Sequence, residues 1–116
     1  MHFFKKKLLF PVKLHEIKRF FTTNLPDDVV VIQQMIKKFS EEVIKPVASR
    51  NDQENRFPAK EIEQLGEMGC MGIGASSDFG GSNLNTLTLS VIVEELSKTC
   101  ASVGAICSIH NCLYVN

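Results

Sequence analysis

After the basic residues 1–25, apolar residues recur at helical spacing. One stripe is formed by residues separated by four, three and four positions: Ile32, Ile36, Phe39 and Val43. A proline followed by two acids predicts that this helix begins at residues 26–28, where acids suit the positive end of the helix dipole. Pro46 predicts that the helix ends or kinks near Lys45, and residues 50–56 form a polar connector.

Two further helices follow the same logic. Phe57 and Pro58 begin the second, and Gly69 is a natural left-handed terminator. The third runs from residue 85 or 86 to Lys98 and is apolar on two faces. The apolar positions of the two helices are Ile62, Leu65 and Met68, then Leu87, Leu89, Val91, Ile92, Val93 and Leu96.

A fourth helix is predicted over residues 102–115, after a short break at residues 99–102 in which Ser102 serves as N-cap. This segment consists mostly of small and apolar residues, which allow another structural element to approach the helix backbone closely. Four helices without a strand pattern predict an all-α, bundle-like domain. We expect one face of the fourth helix to be covered by another structure, and the uncovered chain to self-associate.

The irregular segment between the second and third helices is rich in glycine but does not predict a nucleotide site. Its glycines at 69, 72 and 74 read GxxGxG rather than GxGxxG, and a helix rather than a strand precedes them. We therefore expect a structural loop at residues 69–85.

Charge divides the chain into two parts. Residues 1–25 carry five lysines and one arginine against one glutamate, a net charge of +5, and residues 26–116 carry −5. The first part is interpreted as a basic leader and candidate mitochondrial presequence, which predicts the mitochondrial matrix; an unstructured basic tail is the alternative. The acidic body argues against nucleic acid as a partner, and no apolar run is long enough to span a membrane.

Candidate chemistry is sparse. The four cysteines lack metal-ligand spacing and are expected to be reduced, buried thiols in a reducing compartment, and no metal site is predicted. Glu94 and Glu95 diverge on a helix, so we expect at least one to face solvent while the other bonds a loop backbone. His110 has no nucleophile or orienting acid beside it, so no catalytic residue is predicted in this chain.

Five segments in this order resemble the N-terminal helical domain of the acyl-CoA dehydrogenases. They are QLGEMGCMGI at 64–73, SSDFGGS at 76–82, VEELS at 93–97, CASVG at 100–104 and NCLY at 111–114. The similarity is greatest to short-chain or short/branched-chain members and covers residues 26–116, with the chain stopping within the fourth helix. The family's loop proline is Ser76 here, which puts the rigidity of that loop in question.

This resemblance implies a function. Family members remove the α-proton of an acyl-CoA and pass a β-hydride to FAD, and electrons leave through electron-transferring flavoprotein. Their catalytic base and most flavin contacts lie in later domains, so FAD is not expected to bind this chain alone, and the complete enzyme is expected to be a homo-oligomer. The fourth helix lines part of the acyl pocket, which makes Ile106, Ile109 and His110 the candidate substrate-binding residues. A stand-alone helical interaction module without catalysis is the alternative.

Overall fold

All regular structure in the described part of the chain is helical. The computed structural model describes residues 24–115, and within that range four helical rods follow one another without a strand. The predicted all-α fold is therefore confirmed. The predicted leader at residues 1–25 lies almost entirely outside the described residues.

The first rod is longer than predicted. It comprises α1 (Asp27–Phe39), a π-helical turn (Ser40–Ile44) and α2 (Lys45–Gln53), and it begins beside Pro26 as expected. Of the predicted end or kink near Lys45, the end is not observed, since the rod continues to Gln53, but the helix changes from π to α at Lys45. The π turn changes the hydrogen-bond register, and Pro46 then lies in the first turn of α2, where the missing N–H costs little.

The second rod, α3 (Ala59–Glu67), ends as the sequence predicts. Gly69 has φ +78°, its amide donates to the Gly66 carbonyl, and the Cys70 amide donates to the Leu65 carbonyl at 2.8 Å. These two bonds form a Schellman motif, which satisfies carbonyls at the end of the helix.

The glycine-containing loop after α3 folds back on itself. The Ser82 amide donates to the Gly72 carbonyl at 2.8 Å, and the Leu84 amide donates to the Ile73 carbonyl at 2.7 Å. At Gly81 an added Cβ would meet the Ala75 carbonyl oxygen at 2.2 Å. The glycine is therefore required by contact within the loop, as expected for a structural loop.

The third rod, α4 (Thr86–Thr99), begins with a side-chain cap. Asn85 Oδ1 accepts a hydrogen bond from the Thr88 amide at 3.0 Å, as is typical of an N-cap residue. Its start at residue 86 agrees with the sequence prediction.

The fourth rod follows after a single extended residue. It comprises α5 (Ala101–Ile109) and a second π turn (His110–Tyr114). Cys100, with φ −149° and ψ 107°, occupies the N-cap position without a side-chain hydrogen bond. The predicted N-cap at Ser102 is therefore wrong, because one extended residue is enough to redirect the chain from α4 into α5.

The core lies where α4 packs against α1, α5 and the first π turn, with α3 contacting α5. Burial of a large aliphatic side chain contributes about 1.5–3 kcal/mol. The core residues come from every rod and from the loop: Ile36, Ile44, Leu65, Cys70, Ile73, Ile92, Leu96, Val103 and Cys107.

A buried carboxylate joins α1 to α4. Glu95 accepts hydrogen bonds from Gln33 Nε2 at 2.8 Å and from Lys98 Nζ at 2.7 Å, while Glu94 is exposed. Burial alone raises the pKa of Glu95, but the hydrogen bonds from Lys98 and Gln33, with the charges of Lys98 and Lys37, outweigh it and lower the pKa. Glu94 faces solvent as predicted, whereas Glu95 bonds side chains rather than a loop backbone.

We expect Gly104→Ala to destabilise the chain, since its Cβ would lie 2.0 Å from Ser97 Oγ and 3.1 Å from the Ser97 amide nitrogen on α4. The expected loss in the free energy of unfolding, measured by urea denaturation, is about 1–3 kcal/mol. The matched control is Gly66→Ala in α3, where the nearest atom is 4.0 Å away. That substitution should be neutral or stabilise by up to about 1 kcal/mol through helix propensity. Equal effects of the two substitutions would contradict a close approach of α4 and α5.

We also expect a pH-dependent contribution from Glu95. Its folded pKa lies below the unfolded value of about 4.3, so its stabilisation is present above that pH and is lost as the pH falls through the folded pKa. Glu95→Gln should therefore lower the free energy of unfolding by roughly 1–2 kcal/mol at pH 7, and the difference from wild type should shrink below about pH 4.

Urea midpoints between pH 7 and pH 3 measure this difference. The control is Glu94→Gln, which alters an exposed pair to the same lysine and should cost less than about 0.5 kcal/mol. A difference for Glu95→Gln that persists unchanged to pH 3 would show that the carboxylate charge is not responsible.

Candidate functional site

The fourth rod exposes an apolar face. Ile109 is 58% exposed, Leu113 is 76% exposed and Tyr114 is 81% exposed. Val103 and Cys107 on the same helix are buried, so the helix presents one face to the core, and the rest of residues 24–115 leaves the other face uncovered. Large apolar side chains that share one exposed face mark a surface for contact with a ligand or another chain.

The three predicted site residues occupy this region in different ways. Ile109 is on the exposed face, Ile106 is half-buried, and the half-buried His110 ring stacks on the Tyr114 ring with centroids 5.1 Å apart and an interplanar angle of 30°. Ile109 is accessible to a ligand, whereas Ile106 is only partly accessible. Their role in substrate binding stays a prediction.

His110 has no catalytic surroundings in the described part of the chain. Its ring stacks on Tyr114, and no carboxylate among residues 24–115 forms a hydrogen bond or ion pair with it. A general base needs an orienting partner and a reacting group within reach. The arrangement favours a shape-forming role for this histidine.

Asn111 is the residue that sequence reasoning missed. It is 4% exposed, and its Oδ1 accepts from the Ile73 amide at 2.8 Å while its Nδ2 donates to the Cys70 and Cys107 carbonyls at 2.9 Å. All three bonds are buried, and two of them join residues 38 and 41 positions apart. One signal was present in the sequence: a lone amide in the apolar segment Ile109 to Val115.

Two cysteines pack beneath this face. Burial, assisted by the neighbouring Cys107, raises the pKa of the Cys70 thiol to about 12. Burial also raises the pKa of Cys107 to about 11, against a hydrogen bond from Asn111 that lowers it. These thiols are core residues as predicted, but Cys100 is only half-buried, and the prediction is wrong for Cys112, which lies in the π turn and is exposed.

A cavity of about 360 Å³ lies elsewhere, between the end of α2, the start of α3 and the junction of α4 and α5. Its polar lining carries both signs of charge, including Asp52, Arg56 and Glu61, and it includes none of the three predicted substrate-binding residues. The cavity and the exposed face are therefore separate features.

Two other kinds of site are absent from the described part of the chain. Between residues 24 and 115, no three His, Cys, Asp or Glu side chains are grouped where they could hold a metal ion. No helix in the same range is long and apolar enough to cross a membrane.

Comparison with known proteins gives consistent matches. Residues 26–116 match the family model for the acyl-CoA dehydrogenase N-terminal domain. The chain is 34% identical over 103 residues to the mitochondrial short-chain specific acyl-CoA dehydrogenase of Bos taurus, covering 89% of this chain and 24% of the bovine protein. It is 38% identical over 90 residues to the short-chain specific acyl-CoA dehydrogenase of Clostridium acetobutylicum, covering 78% of this chain and 24% of that protein.

A solved structure agrees with these matches. A chain in the structure of the electron transferring flavoprotein of Acidaminococcus fermentans, solved towards a mechanism of flavin-based electron bifurcation, aligns with a TM-score of 0.69 and 33% identity. The alignment covers 73% of this chain and 22% of that one. The chain thus spans about a quarter of the length of the relatives that it matches.

Proposed function

Because the chain belongs to the acyl-CoA dehydrogenase family, of which it carries the N-terminal domain, we propose that it supplies one wall of the acyl pocket of a short-chain dehydrogenase. The reaction would be the α,β-dehydrogenation of a short acyl-CoA to a trans-2-enoyl-CoA. The observation that supports this role is the uncovered apolar face of the fourth rod, on which Ile109 is 58% exposed.

The chemistry of that face suits an acyl chain. Ile109 and Leu113 are four residues apart and present branched aliphatic side chains, and Ile106 lies at the core edge of the same helix. A saturated acyl chain makes apolar contacts, and each buried methylene contributes about 0.8 kcal/mol. Bulk at Ile106, Ile109 and His110 would leave room for few methylenes, which accounts for a preference for short substrates.

We expect FAD to be held mainly by other parts of a complete enzyme rather than by residues 24–115 alone. The glycine-containing loop is filled by its own backbone contacts, since a Cβ at Gly81 would meet Ala75 and one at Gly69 would meet Ser82 Oγ at 2.6 Å. The amide of Thr88 at the start of α4 is occupied by Asn85. No step of the reaction is therefore assigned to these residues, and FAD and the catalytic base would be supplied by other parts of a complete enzyme.

The partners of the complete enzyme follow from the same proposal. An acyl-CoA thioester would be the substrate, and an electron-transferring flavoprotein would accept the electrons, in keeping with the A. fermentans neighbour. A homo-oligomer is the expected assembly. The substrate would come from the breakdown of fatty acids if its acyl chain is straight, or of branched-chain amino acids if its acyl chain is branched.

The proposal is tested by joining residues 26–115 to the rest of the C. acetobutylicum relative in place of the matching segment. We expect acyl-CoA-dependent reduction of an artificial electron acceptor. Ile106→Ala and Ile109→Ala should then raise kcat/KM for hexanoyl-CoA relative to butyryl-CoA by about fourfold per methylene accommodated.

Val31→Ala is the matched control, since Val31 is 65% exposed but lies on α1. An unchanged chain-length profile in both isoleucine variants would rule out the wall. A folded, FAD-containing protein without turnover would favour the interaction module instead.

We further propose that residues 1–25 direct the chain to the mitochondrial matrix. The net charge of +5 in this segment and the mitochondrial relatives support the proposal, although a bacterial relative also matches the body of the chain. Residues 1–25 fused to a fluorescent reporter should give a mitochondrial signal that is lost when the five lysines and Arg19 are replaced by glutamine. A diffuse signal from the unaltered fusion would exclude targeting.

A further inference from the structure

We infer that Asn111 is a positioning residue that holds residues 110–114 in the π-helical form and so sets which side chains lie on the acyl-facing wall. The effect on substrate choice rests on the proposed function. The structural part of the inference rests on the contacts of Asn111 alone.

The contacts of Asn111 join three separate pieces of backbone. Oδ1 accepts from the Ile73 amide, and Nδ2 donates both to Cys70, in the loop, and to Cys107, one turn earlier on the same rod. The side chain is 4% exposed, so water cannot replace these bonds readily. A buried polar group that loses its hydrogen-bond partner costs the free energy of removing that group from water. This cost holds the Asn111 side-chain amide in its observed position.

This fixed amide lies inside a turn of unusual register. Residues 101–109 are α-helical, whereas the Val115 amide donates to the His110 carbonyl at 3.1 Å, five residues back. A π turn accommodates one more residue than an α turn, so the residues after it are rotated by about 100° relative to a continuous α-helix. Such turns persist where a side-chain contact favours them.

The register of the turn bears on the exposed face because Leu113 and Tyr114 lie within it. In the observed register, Asn111 points into the core while Ile109, Leu113 and Tyr114 are exposed and Cys112 is also at the surface. If residues 110–114 returned to the α-helical register, Leu113 and Tyr114 would turn away from their present positions relative to Ile109. The amide of Asn111 thus acts through the backbone on side chains that it does not contact.

Asparagine is the side chain that these contacts require. It offers one acceptor for the Ile73 amide and two donors for the Cys70 and Cys107 carbonyls. Aspartate would keep the acceptor but place a negative charge beside two carbonyl oxygens. Leucine has a similar volume but would leave the buried Ile73 amide without its acceptor. It would also remove the Asn111 donor from two carbonyls, leaving Cys70 with the Cys107 thiol and Cys107 with the His110 amide.

Hydrogen-bond couplings measured by NMR on the full 116-residue chain test the structural part. In the wild type we expect a trans-hydrogen-bond coupling between the Val115 nitrogen and the His110 carbonyl carbon. In Asn111→Leu and Asn111→Asp we expect this coupling to be lost or replaced by one to the carbonyl of position 111. A retained coupling in whichever variant folds would overturn the inference.

Substrate choice tests the functional part in the joined protein. Asn111→Asp should change the ratio of kcat/KM for hexanoyl-CoA to that for butyryl-CoA by roughly threefold or more, because a methylene-sized change in a pocket alters discrimination on that scale. Val103→Ala, at a buried position on the same helix, should lower Tm but leave the ratio unchanged.

The two proposals can fail separately. A ratio that Asn111→Asp and Val103→Ala shift alike would reduce Asn111 to a stabilising residue and overturn the inference. A joined protein without any acyl-CoA turnover before substitution would defeat the proposed function, and the NMR couplings would then still decide whether Asn111 sets the register.

Discussion

The close contact between α4 and α5 is the constraint on which the rest of the structure depends. At Gly104 the α5 backbone lies so near Ser97 that an added Cβ would overlap the Ser97 hydroxyl. This contact buries one side of α5 against a helix that is itself buried against α1. Among residues 24–115 no element covers the opposite side of α5, and the apolar side chains near its end are exposed there.

Polar contacts complete what apolar burial begins. Apolar packing attracts helices but has little directionality, whereas a buried hydrogen bond requires a particular geometry. Glu95 fixes α4 against α1 through Gln33, and Asn111 fixes the fourth rod against the loop through Cys70 and Ile73. Each contact spans a long sequence separation, so each selects one arrangement among several that apolar packing alone would allow.

Local signals in the sequence predicted most of the fold. Pro26 marked a helix start because a proline is tolerated where backbone N–H groups have no partner within the helix, and Gly69 marked an end because its left-handed conformation is a local requirement. Pro46 marked a change of helix type rather than an end, since the π turn (Ser40–Ile44) precedes it and the rod continues to Gln53.

The candidate site was predictable only in part. Ile109 was identified through the family resemblance, and its exposure is the feature that the pocket hypothesis requires. Asn111 could not be interpreted from the sequence because its partners lie about 40 residues away, in a loop whose path is set by its own backbone bonds. The outward position of Cys112 was missed for the same reason, since it depends on the register of the final turn.

An exposed apolar wall and a stable domain make opposing demands on one helix. Burying Ile109, Leu113 and Tyr114 would add stability but remove the surface that a substrate could contact. The structure separates the two demands by face: Val103 and Cys107 bind the core, and Asn111 anchors the turn without using the exposed side. Because the hydrogen bonds of Asn111 are directional, the exposed face can keep a defined shape although its side chains contribute little to the core. Under the proposed function, this division of one helix into an anchored face and an open face would let a small helical domain shape a pocket that it does not enclose.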